Sequence, residues 1–160
     1  MKKRFTLKMV MKDMKEKIFL SFLISLLMNV AYSQDVDLLV ISNQKGAPSM
    51  MKFSELKSVF KGEKQRWPDG AKINIALMKT NNLIGKTTSD KLYDMSSDEL
   101  NKFWLALVFQ GKASAPNFFN SIAELESYVA QNPGAIGIID NSESVPPDIK
   151  TVLVDGKRFF

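Results

Sequence analysis

The chain has 160 residues, with 22 lysine and arginine residues against 17 aspartate and glutamate residues, and it has neither cysteine nor histidine. Without cysteine there is no disulfide and no thiolate metal site, and without histidine the commonest general base and metal ligand is missing. Seven of the basic residues and only two of the acidic ones precede residue 34, so the 127 residues that follow carry 15 of each and no net charge. Nucleic-acid binding therefore loses its main electrostatic support.

The N-terminal segment has the pattern of a secretory leader. A basic stretch leads into the apolar run Ile18 to Val30, and Ala31-Tyr32-Ser33 follows with small residues at both ends. This mostly apolar run of 13 residues is too short for a membrane span, which needs about 20. The pattern predicts a bacterial signal peptide over residues 1–33, cleaved after about Ser33, and a periplasmic or secreted domain over residues 34–160. Met14 would give a more compact leader and is an alternative start.

The first predicted element of the exported domain is a strand. Asp37 to Ser42 is a continuous apolar run, which is typical of a strand buried on both faces of a parallel sheet. A short helix is predicted next, from Glu55, because Ser54 can cap it and Gly62 can end it in a left-handed conformation. Its apolar stripe is formed by Leu56, Val59 and Phe60.

A turn and a second strand follow. Pro68-Asp69-Gly70 is turn chemistry, and apolar residues then alternate with others along the strand from Ile73 to Met78. The order strand, helix, strand predicts a right-handed parallel crossover.

Three helices and two strands complete the pattern. The first helix runs through Met95 with Thr87, Thr88 or Ser89 as its cap, and the second opens with a capping box. That box is formed by Ser96 and Glu99, and the core-facing stripe after it is Leu100, Phe103, Trp104, Leu107 and Val108. 

The third helix has a second predicted capping box, Ser121 with Glu124, and it stops at Asn132-Pro133-Gly134. The inner face of this helix is formed by Ile122, Leu125, Tyr128 and Val129. Strands are predicted at Ala135 to Ile139 and at Thr151 to Val154. The whole order predicts an α/β sandwich.

Three stretches resemble a known family. They are SELKSVFKGEKQRWPDGAKI, DELNKFWLALVFQGKASAP and YVAQNPGAIGII, and they are similar to the phosphate-binding-type periplasmic substrate-binding proteins of ABC transporters. The resemblance runs from about Val36 to Phe160, and the PGAIG element with the upstream WPDG turn is its most specific part. It implies one lobe of the type II periplasmic-binding-protein fold, an α/β three-layer sandwich with a mostly parallel sheet. It also implies non-catalytic binding of phosphate or a similar small oxyanion, with an inner-membrane permease as a partner.

The sequence departs from that family in two respects. Full-length phosphate binders follow the second strand with an arginine and a Ser-Gly-Thr turn, whereas this strand runs into KTNNLIGK at Lys79 to Lys86. The 127 residues from 34 to 160 also suit one lobe rather than two. Without the arginine and the Ser-Gly-Thr turn, phosphate binding is not inherited with the fold. One lobe covers only one side of an anion, so solvent would weaken the binding.

The predicted ligand site lies between a strand's carboxyl end and a helix N-terminus, where α/β sheets bind ligands and helix amides attract anions. Its six candidate residues are Lys79, Thr80, Asn81, Asn82, Thr87 and Thr88. Ser42 and Asn43 end the first strand and are expected to add donors at the same edge. The alternative is an ordinary capped loop, because the glycine pattern of phosphate-binding loops is missing.

The other polar clusters have simpler interpretations. Lys61, Lys64 and Arg66 surround Trp67, which predicts a solvated turn whose tryptophan fills the core. The carboxylates near helix starts complement the helix dipole. No nucleophile elbow, metal-ligand spacing or phosphate loop occurs, so the sequence predicts neither an enzyme nor a cofactor.

A second functional hypothesis is an envelope interaction or sensory module that kept the fold and lost the ligand site. Its contacts would be Phe118-Phe119 and Phe159-Phe160.

Overall fold

The computed structural model describes residues 36–141 and 144–160, so the predicted signal peptide lies outside the described residues. Six strands and four helices occur in this described part. In chain order they are β1 Leu38–Asn43, β2 Met50–Met51, α1 Phe53–Phe60, β3 Asn74–Met78, α2 Leu83–Tyr93, α3 Ser97–Phe109, β4 Asn117–Phe119, α4 Ile122–Gln131, β5 Ala135–Asp140 and β6 Ile149–Val154. The sequence did not predict β2 and β4, which are only two and three residues long.

The strands form a single mixed sheet in the order β2-β6-β1-β5-β3-β4. β1 is antiparallel to both of its neighbours, β5 and β6, while β2 is parallel to β6 and β3 is parallel to both β4 and β5. Five strands therefore run in one direction and only β1 runs in the other. The prediction of a mostly parallel sheet is confirmed.

The predicted parallel crossover from β1 to β3 is wrong. β5 lies between these two strands, and β1 points the opposite way. The apolar run in β1 indicates only that the strand is buried on both faces of the sheet. An antiparallel central strand meets that requirement as well as a parallel one, because both faces are covered by helices.

Helices cover both faces of the sheet, which makes a three-layer sandwich as predicted. One core cluster joins α1, α2 and α3 to the face of β1 that carries Leu38 and Val40. The other cluster joins α4 to the opposite face, which carries Leu39 and Ile41. Successive side chains of a strand point to opposite faces, so the consecutive apolar residues Leu38 to Ile41 supply both core clusters.

The ends of α1 show one wrong prediction and one confirmed prediction. The helix begins at Phe53 rather than Glu55, and Ser54 does not cap it. The amide of Phe53 instead donates to the carboxylate of Asp155, at 3.2 Å between N and Oδ1. At the other end Gly62 has φ of +75°, and the amides of Gly62 and Glu63 donate to the Val59 and Ser58 carbonyls. This is a Schellman motif, as the glycine indicated.

Helix α3 opens with the predicted capping box of Ser96 and Glu99. Hydrogen bonds from the Ser96 amide and hydroxyl lower the pKa of the Glu99 carboxyl. Of the predicted stripe, Leu100 and Trp104 are buried, Phe103 and Leu107 are half-buried, and Val108 is exposed. Val108 was therefore wrongly assigned to the core, because the last turn of α3 extends beyond the layer that covers its first two turns.

The second predicted capping box, at the start of α4, is half formed. The Glu124 amide donates to the Ser121 hydroxyl at 3.3 Å, as expected. The Glu124 carboxylate, however, accepts from the Asn120 amide at 3.2 Å, one residue before the N-cap. Its charge still lies in the first turn, where it complements the helix dipole.

The Pro68-Asp69-Gly70 turn and the PGAIG element meet in one packing unit around Trp67. The Trp67 side chain is 2% exposed, and its Nε1 donates to the Gly134 carbonyl at 2.9 Å. The Asn74 amide donates to the same carbonyl at 3.2 Å, and the Gly134 amide donates to Lys45. A Cβ on Gly134 would overlap the Lys72 carbonyl oxygen, so only glycine fits there. The two motifs that carry the sequence resemblance are therefore in direct contact.

Candidate functional site

Five of the six strands end at the same edge of the sheet, which we call the carboxyl edge. β1 is the exception and begins there. Helices α1, α2 and α4 each follow one of the strands that end at this edge, so their N-termini lie along it. Open α/β sheets bind ligands outside the carboxyl ends of their strands. The carboxyl edge is therefore the surface where a ligand is expected.

Residues 79–82, the Lys79 loop, connect β3 to α2 at the carboxyl edge. The Lys79 amide donates to the Phe119 carbonyl at 3.0 Å, which ties the loop to the end of β4. The Asn82 amide donates back to the Lys79 carbonyl at 3.2 Å. The Asn82 side chain then accepts from the Gly85 amide at 2.8 Å and caps α2. The loop is thus a tight turn held by its own backbone.

Gly85 sets how closely α2 approaches this turn. An added Cβ would overlap the carbonyl oxygen of Lys79 and would lie 2.8 Å from that of Met78. Both atoms belong to the backbone, so neither can move aside as a flexible side chain would. The role of Gly85 was not predicted from the sequence. It could have been, because a glycine inside a helical segment often marks a place where another part of the chain packs closely.

The residues of the Lys79 loop differ in their exposure to solvent. Lys79 and Asn81 are exposed, and Thr80 and Asn82 are half-buried. In the first turn of α2, the amides of Leu83 and Ile84 have no hydrogen-bond acceptor among the residues that the structure describes. An anion placed there would meet two amides and one ammonium group. The neighbouring N-terminus of α3 is already occupied by its own Glu99 carboxylate, so it adds nothing to anion binding.

Two of the predicted site residues lie deeper in the helix than expected. Asn82 caps α2, so Thr87 and Thr88 belong to its second turn rather than to its start. Thr88 is 3% exposed and Thr87 is half-buried. The predicted cap at Thr87, Thr88 or Ser89 is wrong. Asparagine is among the best N-cap residues, so Asn82 could have been recognised from the sequence.

Ser42 and Asn43 lie at the opposite edge of the sheet from the Lys79 loop. They end β1, which runs against the other strands, and they pair with Ile136 and Ile149 at the starts of β5 and β6. The Asn43 side chain donates to the Val129 and Ala130 carbonyls at the end of α4, at 2.9 and 2.8 Å. The expectation that both residues share an edge with Lys79 is wrong, because it assumed a parallel β1.

The environment of the Ser42 hydroxyl can be tested by mutation. Its side chain is fully buried, and its hydroxyl has no hydrogen-bond partner among the described residues. Removing an unsatisfied buried polar group is neutral or favourable, so Ser42→Ala is expected to change the free energy of unfolding by between zero and about +1 kcal/mol. Urea denaturation measures this change. A loss above about 1 kcal/mol would show that the hydroxyl is satisfied.

In the basic turn before β3, Trp67 fills the core as predicted, but Lys64 and Arg66 have partners rather than being simply solvated. The Lys64 ammonium forms an ion pair with Glu55 at 2.6 Å and lies 5.7 Å from the centre of the Trp67 ring. Arg66 donates to the Gly70 carbonyl at 2.8 Å. Lys64 therefore pairs with a residue of α1 and Arg66 with its own turn, while Trp67 fills the core.

The aromatic pairs proposed as contacts of an interaction module are half-buried rather than exposed. Phe119 lies against Tyr128, with ring centres 5.2 Å apart, and Phe160 lies against Phe53 at 5.5 Å. Exposed apolar side chains lie on α3, where Leu105 is 57% exposed and Phe109 is 82% exposed, and also outside it, at Met50, Leu83 and Leu153. Among the described residues, no helix is long and apolar enough to cross a membrane.

No family model matches the sequence, and no curated protein matches it. Solved structures do match. An ABC-type phosphate transport receptor from Vibrio cholerae superposes with a TM-score of 0.61 at 16% identity, over 78% of this chain and 49% of the receptor. PstS from Borrelia burgdorferi gives a TM-score of 0.58 at 18% identity, over 76% of this chain and 48% of PstS.

A putative phosphate ABC transporter substrate-binding protein with bound phosphate, from Clostridium perfringens, gives a TM-score of 0.52 at 18% identity. The match covers 76% of this chain and 46% of that protein. At these identities the likeness shows the fold. This chain therefore has the fold of the periplasmic substrate-binding proteins, and it spans about half the length of the solved structures that it matches.

Proposed function

We propose that the protein is an exported, non-catalytic binding lobe that holds a small oxyanion, phosphate or a similar one, at the Lys79 loop. The observation that carries the proposal is the position of this loop. It joins the carboxyl end of β3 to the N-terminus of α2, exposes Lys79, and leaves two helix amides without an acceptor among the described residues. Of the solved structures with this fold, one is by name an ABC-type phosphate transport receptor and another is a putative phosphate ABC transporter substrate-binding protein.

In the proposed mode, the anion accepts hydrogen bonds from the Leu83 and Ile84 amides, and the Lys79 ammonium supplies the charge. Thr80 and Asn81 add side-chain donors from the loop. Asn82 contributes as the cap that fixes the turn, and Thr87 and Thr88 support α2 from its second turn. Solvent reaches the open side of the anion, so the affinity is expected to be weak, with a dissociation constant of about 1 mM, equivalent to about −4 kcal/mol.

Calorimetric titration with phosphate and with sulfate tests the mode. Lys79→Ala removes the only charge placed in the loop and is expected to weaken binding by about fivefold, since one charge-assisted contact at an open site contributes about 1 kcal/mol. Lys112→Ala is the matched control, because Lys112 is also exposed but follows α3, outside the Lys79 loop. Equal affinities of the two variants, or no heat at millimolar phosphate, would contradict the proposal.

For the biological role, we propose delivery of the bound anion to an inner-membrane permease, as the solved relatives suggest by name. The alternative is an envelope interaction or sensory module without a ligand. The exposed face of α3 favours this alternative, because Leu105, Val108 and Phe109 form an apolar surface on one helix. Co-purification from bacterial envelopes distinguishes the two roles. Loss of the partner in Phe109→Asp, together with no phosphate binding by the unmodified protein, would favour the interaction module.

A further inference from the structure

A cavity of about 370 Å³ opens at the carboxyl edge. Its lining residues are Phe53, Lys91, Val154, Asp155, Lys157, Phe159 and Phe160, and they include no residue of the Lys79 loop. Ligand pockets of proteins usually measure about 300–1,000 Å³ and are mainly apolar. This cavity falls within that range and has aromatic walls.

The walls of the cavity are fixed by main-chain contacts. After β6 the chain turns at Asp155, whose φ is +48°, and the turn is closed by hydrogen bonds in both directions between Val154 and Lys157. Phe160 then exchanges two backbone hydrogen bonds with Leu38, at 3.2 and 3.1 Å. The same turn places the Asp155 carboxylate on the Phe53 amide. The Phe53 and Phe160 rings are therefore attached to backbone that is already hydrogen-bonded, whereas Phe159 packs against the core cluster on the other face of the sheet.

The charges around the cavity favour an anion. Lys157 is exposed, and the Lys91 ammonium donates to the Val36 carbonyl at 3.2 Å. Among the described residues that line the cavity, Asp155 is the only acidic one, and its Oδ1 accepts from the Phe53 amide. The apolar walls argue against an inorganic oxyanion, which would lose hydration without enough donors to replace it. Aromatic rings favour an aromatic ligand through edge and offset contacts.

We propose that this cavity binds a small aromatic carboxylate, with its ring against Phe53 and Phe160 and its carboxylate at Lys157. The site is separate from the Lys79 loop and does not depend on phosphate binding. It would give the lobe a ligand of a second chemical class at the same edge of the sheet.

The test is a titration of ¹⁵N-labelled protein, expressed from the full 160-residue sequence, with 3-phenylpropionate. Saturable shifts are expected at the Phe53 amide, which donates to the Asp155 carboxylate at the cavity wall, and at the Asp155 amide, which donates to the Met51 carbonyl. Lys157→Glu is expected to weaken binding by about tenfold, because reversing a charge next to a carboxylate changes attraction into repulsion. The neutral analogue 3-phenylpropanol should bind the unmodified protein several-fold more weakly.

Matched variants separate this cavity from other surfaces. Lys112→Glu and Phe109→Ala change an exposed lysine and an exposed phenylalanine outside the cavity lining, and both should leave the affinity unchanged. Phe160→Ala should weaken binding, and if that variant does not fold, Lys157→Glu and the alcohol decide the question. The proposal would be overturned if binding did not saturate up to about 10 mM ligand, because the binding would then be weaker than about 3 kcal/mol. Equal binding of the acid and the alcohol would also overturn it.

A parallel titration of the same labelled protein with phosphate distinguishes this proposal from the proposed function. Phosphate shifts at residues 80–84 without shifts at Phe53 and Asp155 would support the oxyanion site alone. Phenylpropionate shifts at Phe53 and Asp155 support the cavity whether or not phosphate binds. Shifts from phenylpropionate that appear only on α3 would overturn the cavity and assign the binding to the exposed apolar face.

Discussion

Replacing Trp67 with alanine is expected to destabilise the fold by about 3–5 kcal/mol, the usual cost of removing a buried tryptophan. The ring is 2% exposed and lies where the turn before β3 meets the turn before β5. Its loss opens a void and removes the Nε1 hydrogen bond to the Gly134 carbonyl. That carbonyl keeps a second donor, the Asn74 amide, so the cavity accounts for most of the cost. Urea denaturation followed by circular dichroism measures the change.

Phe109→Ala is the control for size and aromatic character. Phe109 is 82% exposed, so its truncation is expected to change the free energy of unfolding by no more than about 0.5 kcal/mol. A cost for Trp67→Ala as small as that for Phe109→Ala would show that the Trp67 unit does not hold the two turns together.

Gly85→Ala is expected to destabilise the protein by about 2 kcal/mol or more. Helix propensity alone predicts the opposite, a gain of about 1 kcal/mol for alanine over glycine inside a helix. The contact decides the sign, because the new Cβ would overlap the Lys79 carbonyl oxygen and approach that of Met78 to 2.8 Å. Overpacking against rigid neighbours costs about 1–3 kcal/mol and sometimes more. Either α2 or the end of β3 must shift.

Gly137→Ala provides the matched control. A Cβ there would lie 2.8 Å from Leu125 Cδ2, the far end of a flexible side chain, and 3.3 Å from the nearest backbone oxygen. Leu125 can rotate away, so the cost should be clearly smaller than at Gly85. Thermal denaturation of both variants gives the comparison. A stabilised Gly85→Ala variant would show that α2 does not contact the Lys79 loop as closely as described.

Several elements could be predicted because their signals are local. The capping box at Ser96, the left-handed glycine at Gly62 and the Pro68-Asp69-Gly70 turn each depend on residues within a few positions of one another. The burial of Leu125 and Val129 on α4 also followed from spacing alone. In these cases the sequence neighbours are also the structural partners.

Other features could not be predicted because their partners are distant in sequence. The direction of β1 depends on β5 and β6, about 100 residues later, and an apolar run looks the same in either direction. The cap of α1 comes from Asp155, 102 residues after Phe53. Ser54, a good cap residue by type, therefore has no capping role.

The candidate site was predicted in part for the same reasons. The Lys79 loop was correctly placed after a strand and before a helix, because that order is visible in the sequence. Thr87 and Thr88 were placed at the helix start because the stronger signal of Asn82 was not used. Ser42 and Asn43 were assigned to the wrong edge through the direction of β1. The aromatic cavity combines residues from α1, α2, the end of β6 and the last two residues, and no local pattern brings them together.

The central claim is that an oxyanion binds at the Lys79 loop, and a map of backbone amide shifts during phosphate titration tests it most directly. The account predicts saturable shifts at residues 80–84, largest for Leu83 and Ile84, with little change at Ser42 and Asn43 on the opposite edge. Uniformly small shifts, or shifts concentrated at Ser42 and Asn43, would contradict it.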